Sequence, residues 1–344
     1  MAIFKKSFLI TLMVALLTVT SGIAFQNLST FRDARKFPPP GRLIEINGRA
    51  MHLNCVGSGG PTVILESGLL HGSQDWALVL PDVAKFTRVC AYDRAGYGWS
   101  EYRPGPRTAA SISDELSALL AAAGERPPFV LVGHSLGGIL VRQFALRHPG
   151  VVLGMVFVDS SHEQQLAHFA PPGNSIERSQ QYFRKQIVAS EFGITRLWHT
   201  CGLDPVRPDL RDETVYLECQ PTRWLTALHE VEILASPPPM LAPRVFQNMP
   251  VEVLTRDLDR EEDPAERDAS PIWIQLQREL ATLSTAGNWR IVKGSSHAIH
   301  MEKPGAVVAA IRKVWEASRQ TSHLPDVFPQ GWECATNAKT KREL

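Results

Sequence analysis

The fold is decided by a short stretch at the centre of the chain, FVLVGHSLGG, residues 129–138. Its apolar first half is typical of a buried strand, and a helical pattern follows from 136 to 148 and ends at Pro149. A G-x-S-x-G pattern between a strand and a helix predicts a tight turn that exposes the hydroxyl of Ser135. Because a serine hydroxyl attacks a carbonyl only when a base removes its proton, this turn indicates nucleophilic catalysis.

Strand and helix patterns alternate on both sides of this turn. Such alternation predicts a mostly parallel sheet covered by helices on both faces. The alternation is interrupted from about 160 to 250, where the patterns are helical and end in the proline run 237–239. We therefore predict a helical insertion after the sixth strand. The predicted strands are 42–46, 51–56, 62–66, 87–92, 129–133, 152–158, 251–255 and 289–292, and the clearest helices are 111–123, 136–148 and 304–318.

The composition is that of a packed globular protein. The 344 residues are 44% hydrophobic, and 36 Lys and Arg nearly balance 35 Asp and Glu. These values exclude a disordered chain, and 24 Gly and 25 Pro are too few for a collagen-like one. A net charge of +1 gives no general attraction to nucleic acid, so we expect no nucleic-acid partner.

The two ends of the chain differ from the middle. Residues 7–31 contain no charged side chain and follow Lys5 and Lys6. This run fits a signal peptide with a small-x-small site from Gly22 to Ala24, or an uncleaved anchor with the lysines on the cytoplasmic side. We therefore expect export or membrane anchoring. The predicted divisions are a leader at 1–24, a Pro-rich linker at 25–40, a catalytic domain at 41–318 with an insertion at about 160–250, and a flexible tail at 319–344.

Four motifs in order resemble those of the α/β-hydrolase superfamily. They are PTVILESG at 61–68, YDRAGYGWS at 92–100, GHSLGG at 133–138, and GSSH at 294–297 with EKP at 302–304. The resemblance covers about residues 41–318 and is to capped members with a serine nucleophile and an apolar leader. It implies an α/β fold with an eight-stranded, mostly parallel sheet, helices on both faces and a helical cap.

The resemblance also implies site residues. Ser135 would be the nucleophile and His297, before the last helix, the general base. The backbone N–H groups of Leu136 and Leu69 would form the oxyanion hole.

The acid of the triad has three candidates. Asp159 stands alone at the end of an apolar strand, a position from which some family members take their acid. Asp259 lies after the seventh strand, the usual family location, but Arg256 replaces the glycine of that motif and more acids follow. We favour Asp159, with Asp259 and then Asp257 as alternatives.

The activity implied is hydrolysis of a small apolar carboxylic ester through an acyl-enzyme. The alternatives are a C–C bond hydrolase or acyltransferase with the same triad, and a ligand-binding protein that retained the fold. No cofactor or metal is expected, since H-E-x-x-H is missing and the cysteines are scattered.

Two cysteine pairs leave alternatives open. Cys201 and Cys219 lie in the insertion and could pair in an exported protein. Cys55 and Cys90 fall on strands that are neighbours in this fold, so either a disulfide or two buried thiols is expected.

Overall fold

An eight-stranded sheet forms the centre of the molecule in the computed structural model, which describes residues 2–169, 175–198, 200–201, 210–239, 241–260 and 264–321. The strand order is β1-β2-β4-β3-β5-β6-β7-β8. Only the β1–β2 and β2–β4 pairs are antiparallel, which confirms the predicted mostly parallel sheet. The strands are β1 Arg42–Ile46, β2 Arg49–Val56, β3 Thr62–Glu66, β4 Val89–Tyr92, β5 Phe129–His134, β6 Val152–Val158, β7 Val251–Thr255 and β8 Gly287–Ile291.

Helices cover both faces of this sheet. Along β5, Phe129 and Leu131 face one apolar core and Val130 and Val132 face the other, as the two-residue period of a strand requires. The helices are α1 Ala2–Lys36, α2 Leu80–Val83, α3 Ala109–Ala123, α4 Leu136–Arg147, α5 Gln165–Phe169, α6 Ser175–Glu191, α7 Ile194–Leu197, α8 Arg211–Glu218, α9 Pro221–Glu230, α10 Glu232–Ala235, α11 Pro264–Thr282, α12 Ile299–Glu302 and α13 Pro304–Thr321. The first core contains residues of α3, α4 and α11, and the second contains residues of α2, α12 and α13.

The regular elements between β6 and β7, in the part of the chain that the structure describes, are the helices α5 to α10. We call α5–α10 the cap. Its helices α6 and α9 pack through Phe183, Trp224 and Ala227, and Leu69 and Leu70 of the loop after β3 lie against this cluster. The cap therefore contacts the loop that was predicted to supply an oxyanion donor.

Several elements differ from the sequence-based expectations. The range 25–40, predicted as a linker, is helical as far as Lys36, because no helix breaker precedes Pro38. Helix α3 begins at Ala109 instead of 111, since Thr108 caps it by accepting a hydrogen bond from the Ser111 amide. The helix α11 was not predicted at all. Most of the predicted tail, from 322 to 344, lies outside the described residues.

Both cysteine pairs that the sequence left open are disulfides in the structure. Cys55 and Cys90 face each other across β2 and β4, with their Cα atoms 4.0 Å apart. Cys201 and Cys219 join two parts of the cap, with Cα atoms 4.9 Å apart. Two disulfides are typical of a protein that folds in an oxidising compartment.

Candidate active site

Ser135 occupies the turn between β5 and α4 with a strained backbone, φ 51° and ψ −124°. The glycines around it are required by close packing. A Cβ at Gly133 would lie 2.6 Å from the carbonyl oxygen of Gly137, and one at Gly138 would lie 2.2 Å from Oγ of Ser160. Any larger residue would push the strand and helix apart, so the small residues hold the serine on its turn.

His297 and Asp159 are brought together from distant parts of the chain. The Asp159 carboxylate lies at the carboxyl end of β6, and its Oδ2 is 2.6 Å from Nδ1 of His297. The Asp159 side chain is fully buried, whereas 44% of the His297 side chain is exposed. Asp159 also has a positive φ of 40°, and its amide donates to the Leu254 carbonyl at 2.7 Å. This backbone geometry turns the carboxylate toward His297.

Further donors surround the same carboxylate. The Arg256 amide donates to Oδ1 of Asp159 at 3.1 Å, and Nη1 of Arg256 lies 3.0 Å from Oδ2. The indole N–H of Trp273 donates to Oδ1 at 2.9 Å. Burial by itself would raise the pKa of the Asp159 carboxyl, but the hydrogen bond and charge of His297 and the charge of Arg256 outweigh it, so this pKa is lowered.

The two alternative acids lie elsewhere. Asp259 pairs with Nζ of Lys293 at 2.6 Å, and 83% of its side chain is exposed. Asp257 accepts a hydrogen bond from the Gly294 amide at 2.7 Å and also lies 3.1 Å from Lys293. Neither carboxylate is hydrogen-bonded to His297 among the described residues.

The loop after β3 lies directly against the serine. A Cβ added to Gly68 would come within 3.1 Å of the Ser135 Cβ. The Leu136 amide, as the first residue of α4, has no carbonyl inside the helix to which it could donate. The Leu69 side chain packs on the apolar cluster that contains Leu136, while the next amide, of Leu70, donates to the Tyr97 hydroxyl at 3.3 Å. The two predicted oxyanion donors are thus on neighbouring segments.

Arg94 holds this loop, although no sequence pattern indicates a role for it. Its Nη1 donates to the Ser67 carbonyl and its Nη2 to the Gly68 carbonyl, both at 2.7 Å. The guanidinium is buried between Glu66 of β3, at 2.6 Å, and Glu230 of the cap, at 2.9 Å. Arg94 stands inside the motif at 92–100, but a buried arginine cannot be told from a surface one by pattern alone.

Two further histidines, His134 and His300, lie close to His297. The rings of His134 and His300 are 4.2 Å apart, and Nε2 of His134 lies 3.1 Å from the carbonyl oxygen of His297. Burial lowers the pKa of His134 well below its usual value, helped by the nearby His300 and His297. Burial also lowers the pKa of His300 to about 3. Both rings are therefore uncharged at neutral pH.

Sequence comparison gives relatives over most of the chain. An uncharacterized protein of Schizosaccharomyces pombe is 28% identical over 298 residues, which are 77% of this chain and 54% of that protein. The chain thus spans about half of the length of that relative. The uncharacterized protein YqjL of Bacillus subtilis is 28% identical over 276 residues, 80% of this chain and 92% of its own.

Structural comparison gives the same fold. A thermophilic esterase of Thermogutta terrifontis matches 80% of this chain and 97% of its own, with a TM-score of 0.56 and 19% identity. The sequence profile of the alpha/beta hydrolase family matches residues 63–311. This range includes the strained serine turn, the buried aspartate and the histidine that it contacts. The chain therefore belongs to the alpha/beta hydrolase family.

Proposed function

We propose that the protein is a serine hydrolase that cleaves carboxylic esters through an acyl-enzyme on Ser135. The observation that carries the proposal is the 2.6 Å contact between the buried Asp159 carboxylate and Nδ1 of His297, at the same end of the sheet as Ser135. A histidine held in this way is a base with a fixed tautomer, which a serine on a strained turn needs. Family membership supports hydrolysis in general, and the serine favours an acyl intermediate.

In the proposed mechanism, Asp159 accepts the Nδ1–H of His297, so that Nε2 is free to act as the base. Nε2 takes the proton of Ser135 as Oγ attacks the carbonyl carbon. The same imidazolium then gives the proton to the departing alkoxide, which leaves as an alcohol. Water attacks the acyl-enzyme with His297 again as the base, which releases the acid and restores the serine.

The negative oxygen of each tetrahedral intermediate would be stabilised by the amides of Leu136 and Leu69. The Leu136 amide is at the positive end of α4, which adds to its effect on an anion. The contacts of Arg94 with the carbonyls of Ser67 and Gly68 support a fixed position for the Leu69 amide. Such donors, already in place before the reaction, account for a large part of catalysis in acyl transfer.

We propose an ester with an apolar acyl or alcohol group as the substrate. An alkoxide leaves a tetrahedral intermediate more readily than an amine does. Apolar side chains of the cap and of α4 meet at the oxyanion loop, among them Ile233, Ile139 and Leu69. Such surroundings favour apolar over charged substrates.

The test is hydrolysis of p-nitrophenyl butyrate by the wild type, Ser135→Ala and Ser58→Ala. Ser58 lies in an exposed turn, so its variant is the matched control. We expect Ser135→Ala to lose p-nitrophenol release while keeping the wild-type circular dichroism spectrum, and Ser58→Ala to behave as the wild type. Unchanged turnover by a folded Ser135→Ala would contradict the proposal, as would a wild type that binds the ester without cleaving it.

A further inference from the structure

The second half of helix α1 is packed onto the cap. A Cβ added to Gly22 would lie 2.7 Å from the carbonyl oxygen of Phe192, so the two backbones are in close contact. One helical turn further on, the ring of Phe25 lies against Gly193, where a Cβ would come within 2.6 Å of its Cδ1. The contact therefore involves the short connection between α6 and α7.

Polar contacts hold the next turns of α1 in place. The Gln26 side chain is 3% exposed and donates to the Cys219 carbonyl at 3.0 Å. Asp33 pairs with Arg196, and Lys36 lies 2.8 Å from Asp212. These polar contacts lie after the predicted cleavage site, so they hold the second half of α1 on the cap whether or not the leader is removed. The contact of Gly22 with Phe192 lies before that site and would be lost on cleavage after Ala24, so it favours a retained helix.

Helix α7 buries its polar side chains and exposes its apolar ones, the opposite of a helix at a protein surface in water. Its Thr195 and Arg196 are turned inward, with 1% and 8% exposed. Ile194 and Leu197, and Trp198 directly after the helix, are turned outward, with 39%, 64% and 71% exposed. We call these three residues the α7 face. Neighbouring exposed apolar side chains mark an interaction site, with another protein or with a membrane.

The length of α1 places this face at a membrane boundary. The uncharged run begins at Ser7, and a hydrocarbon core of about 30 Å takes about 20 helical residues, so the span would end near residue 26. Gly22 would then lie about 6 Å inside the hydrocarbon edge. Phe192 and Gly193 would lie at a similar level, and Arg196, which pairs with Asp33 further along α1, would lie nearer the headgroups. Amphipathic helices that rest on membranes reach depths of about 5–10 Å.

We propose that α1 is retained as a membrane anchor and that the α7 face rests in the same bilayer beside it. Trp198 would lie at the headgroup level, where tryptophan is enriched in membrane proteins. Leu197 and Ile194 would enter the edge of the acyl chains. The cap would then have a fixed orientation on the lipid surface, set by two contacts with one bilayer.

The test uses the full chain reconstituted in phosphatidylcholine vesicles, with and without bromine on the acyl chains near the headgroup. Bromine quenches tryptophan fluorescence only at short range. The signal of Trp198 is taken as the difference between the wild type and Trp198→Phe. Trp289→Phe is the matched control, because Trp289 lies on β8 and its indole donates to Thr255 within the sheet.

We expect the Trp198 signal to lose more than half of its intensity in brominated vesicles and the Trp289 signal to be unchanged. Equal Trp198 signals in both kinds of vesicle would overturn the proposal, including the case in which a second copy of the chain covers the face and shields it. Intact mass of the membrane-extracted protein tests the retained anchor. A chain that begins at Phe25 would overturn that part. Neither measurement depends on the proposed esterase activity.

Discussion

Asp159 and His297 are 138 positions apart in the chain, yet Oδ2 of one lies 2.6 Å from Nδ1 of the other. The contact forms because β6 and the loop after β8 both end at the same edge of the parallel sheet. The aspartate is buried and accepts three further hydrogen bonds, from Arg256 and Trp273. A carboxylate so fully satisfied has a fixed orientation, and it can fix the orientation of the imidazole in turn.

The choice of acid gives the first prediction. Asp159→Asn should lower kcat for p-nitrophenyl butyrate by about 10⁴-fold, because an amide in that position favours the wrong tautomer of His297. Asp259→Asn is the matched control and should keep wild-type turnover, since Asp259 is exposed and pairs with Lys293. A large loss in Asp259→Asn together with an active Asp159→Asn would contradict the assignment.

Arg94 is predicted to act as a positioning residue. Arg94→Lys keeps the charge but loses the paired contacts with the Ser67 and Gly68 carbonyls, so the Leu69 amide should move. Since removal of one oxyanion donor costs about 10²–10³-fold in kcat, we expect a loss of up to that size with little change in KM. The exposed Arg147→Lys is the control. A lower Tm with unchanged kcat would show that Arg94 is only structural.

Because His300 is buried and uncharged, we expect the free energy of unfolding to decrease in acid. Its folded pKa of about 3 lies below the ordinary value of 6.5, so between these values the unfolded chain binds a proton that the folded protein does not. The free energy of unfolding should therefore fall as the pH is lowered from 6.5 toward 3, by about 1.4 kcal/mol per pH unit from this one group.

His300→Phe should remove that part of the slope, because phenylalanine cannot bind a proton. Neither ring nitrogen of His300 has a hydrogen-bond partner among the described residues, so no such bond is lost. Urea unfolding at several pH values measures the slope. His229→Phe, at a partly exposed position of α9, is the matched control. Identical slopes in the wild type and His300→Phe would refute the explanation.

The Cys201–Cys219 disulfide should stabilise the cap. Replacing both cysteines by alanine is expected to lower the free energy of unfolding by about 3 kcal/mol, the typical value for a loop of this size. Arg223 donates to the Cys201 carbonyl at 2.6 Å and to the Leu70 carbonyl at 2.9 Å, so a loosened cap should also disturb the oxyanion loop. Urea unfolding of the wild type and the double variant under oxidising conditions, which leave the Cys55–Cys90 disulfide intact in both, measures the effect. A double variant as stable as the wild type would count against it.

The fold and half of the candidate site could be predicted because their signals are local. The serine turn, the strand before it and His297 before the last helix are each recognisable within about ten residues. The acid could not be decided in this way. Its selection depends on how the ends of β6 and β7 meet, and on the hydrogen bond from Trp273 of α11. Acidic residues and Pro271 in this segment favour a loop in the sequence pattern, so α11 was not predicted.

Arg94 shows a second limit. Its role comes from contacts with Glu66 of β3 and Glu230 of the cap, the latter 136 positions away. No local period distinguishes such a residue from a solvated charge, since only the folded chain brings the three side chains together. Long-range polar networks are therefore what sequence patterns miss at this site.

Covalent labelling distinguishes an activated nucleophile at Ser135 from an ordinary serine. The wild type, Ser135→Ala and His297→Ala are treated with a fluorophosphonate, digested and analysed by mass spectrometry. We predict one adduct in the wild type, on the peptide that contains Ser135, none in Ser135→Ala, and strongly slowed labelling in His297→Ala. A folded wild type that is not labelled, or one labelled at another serine, would show that Ser135 is not the activated nucleophile.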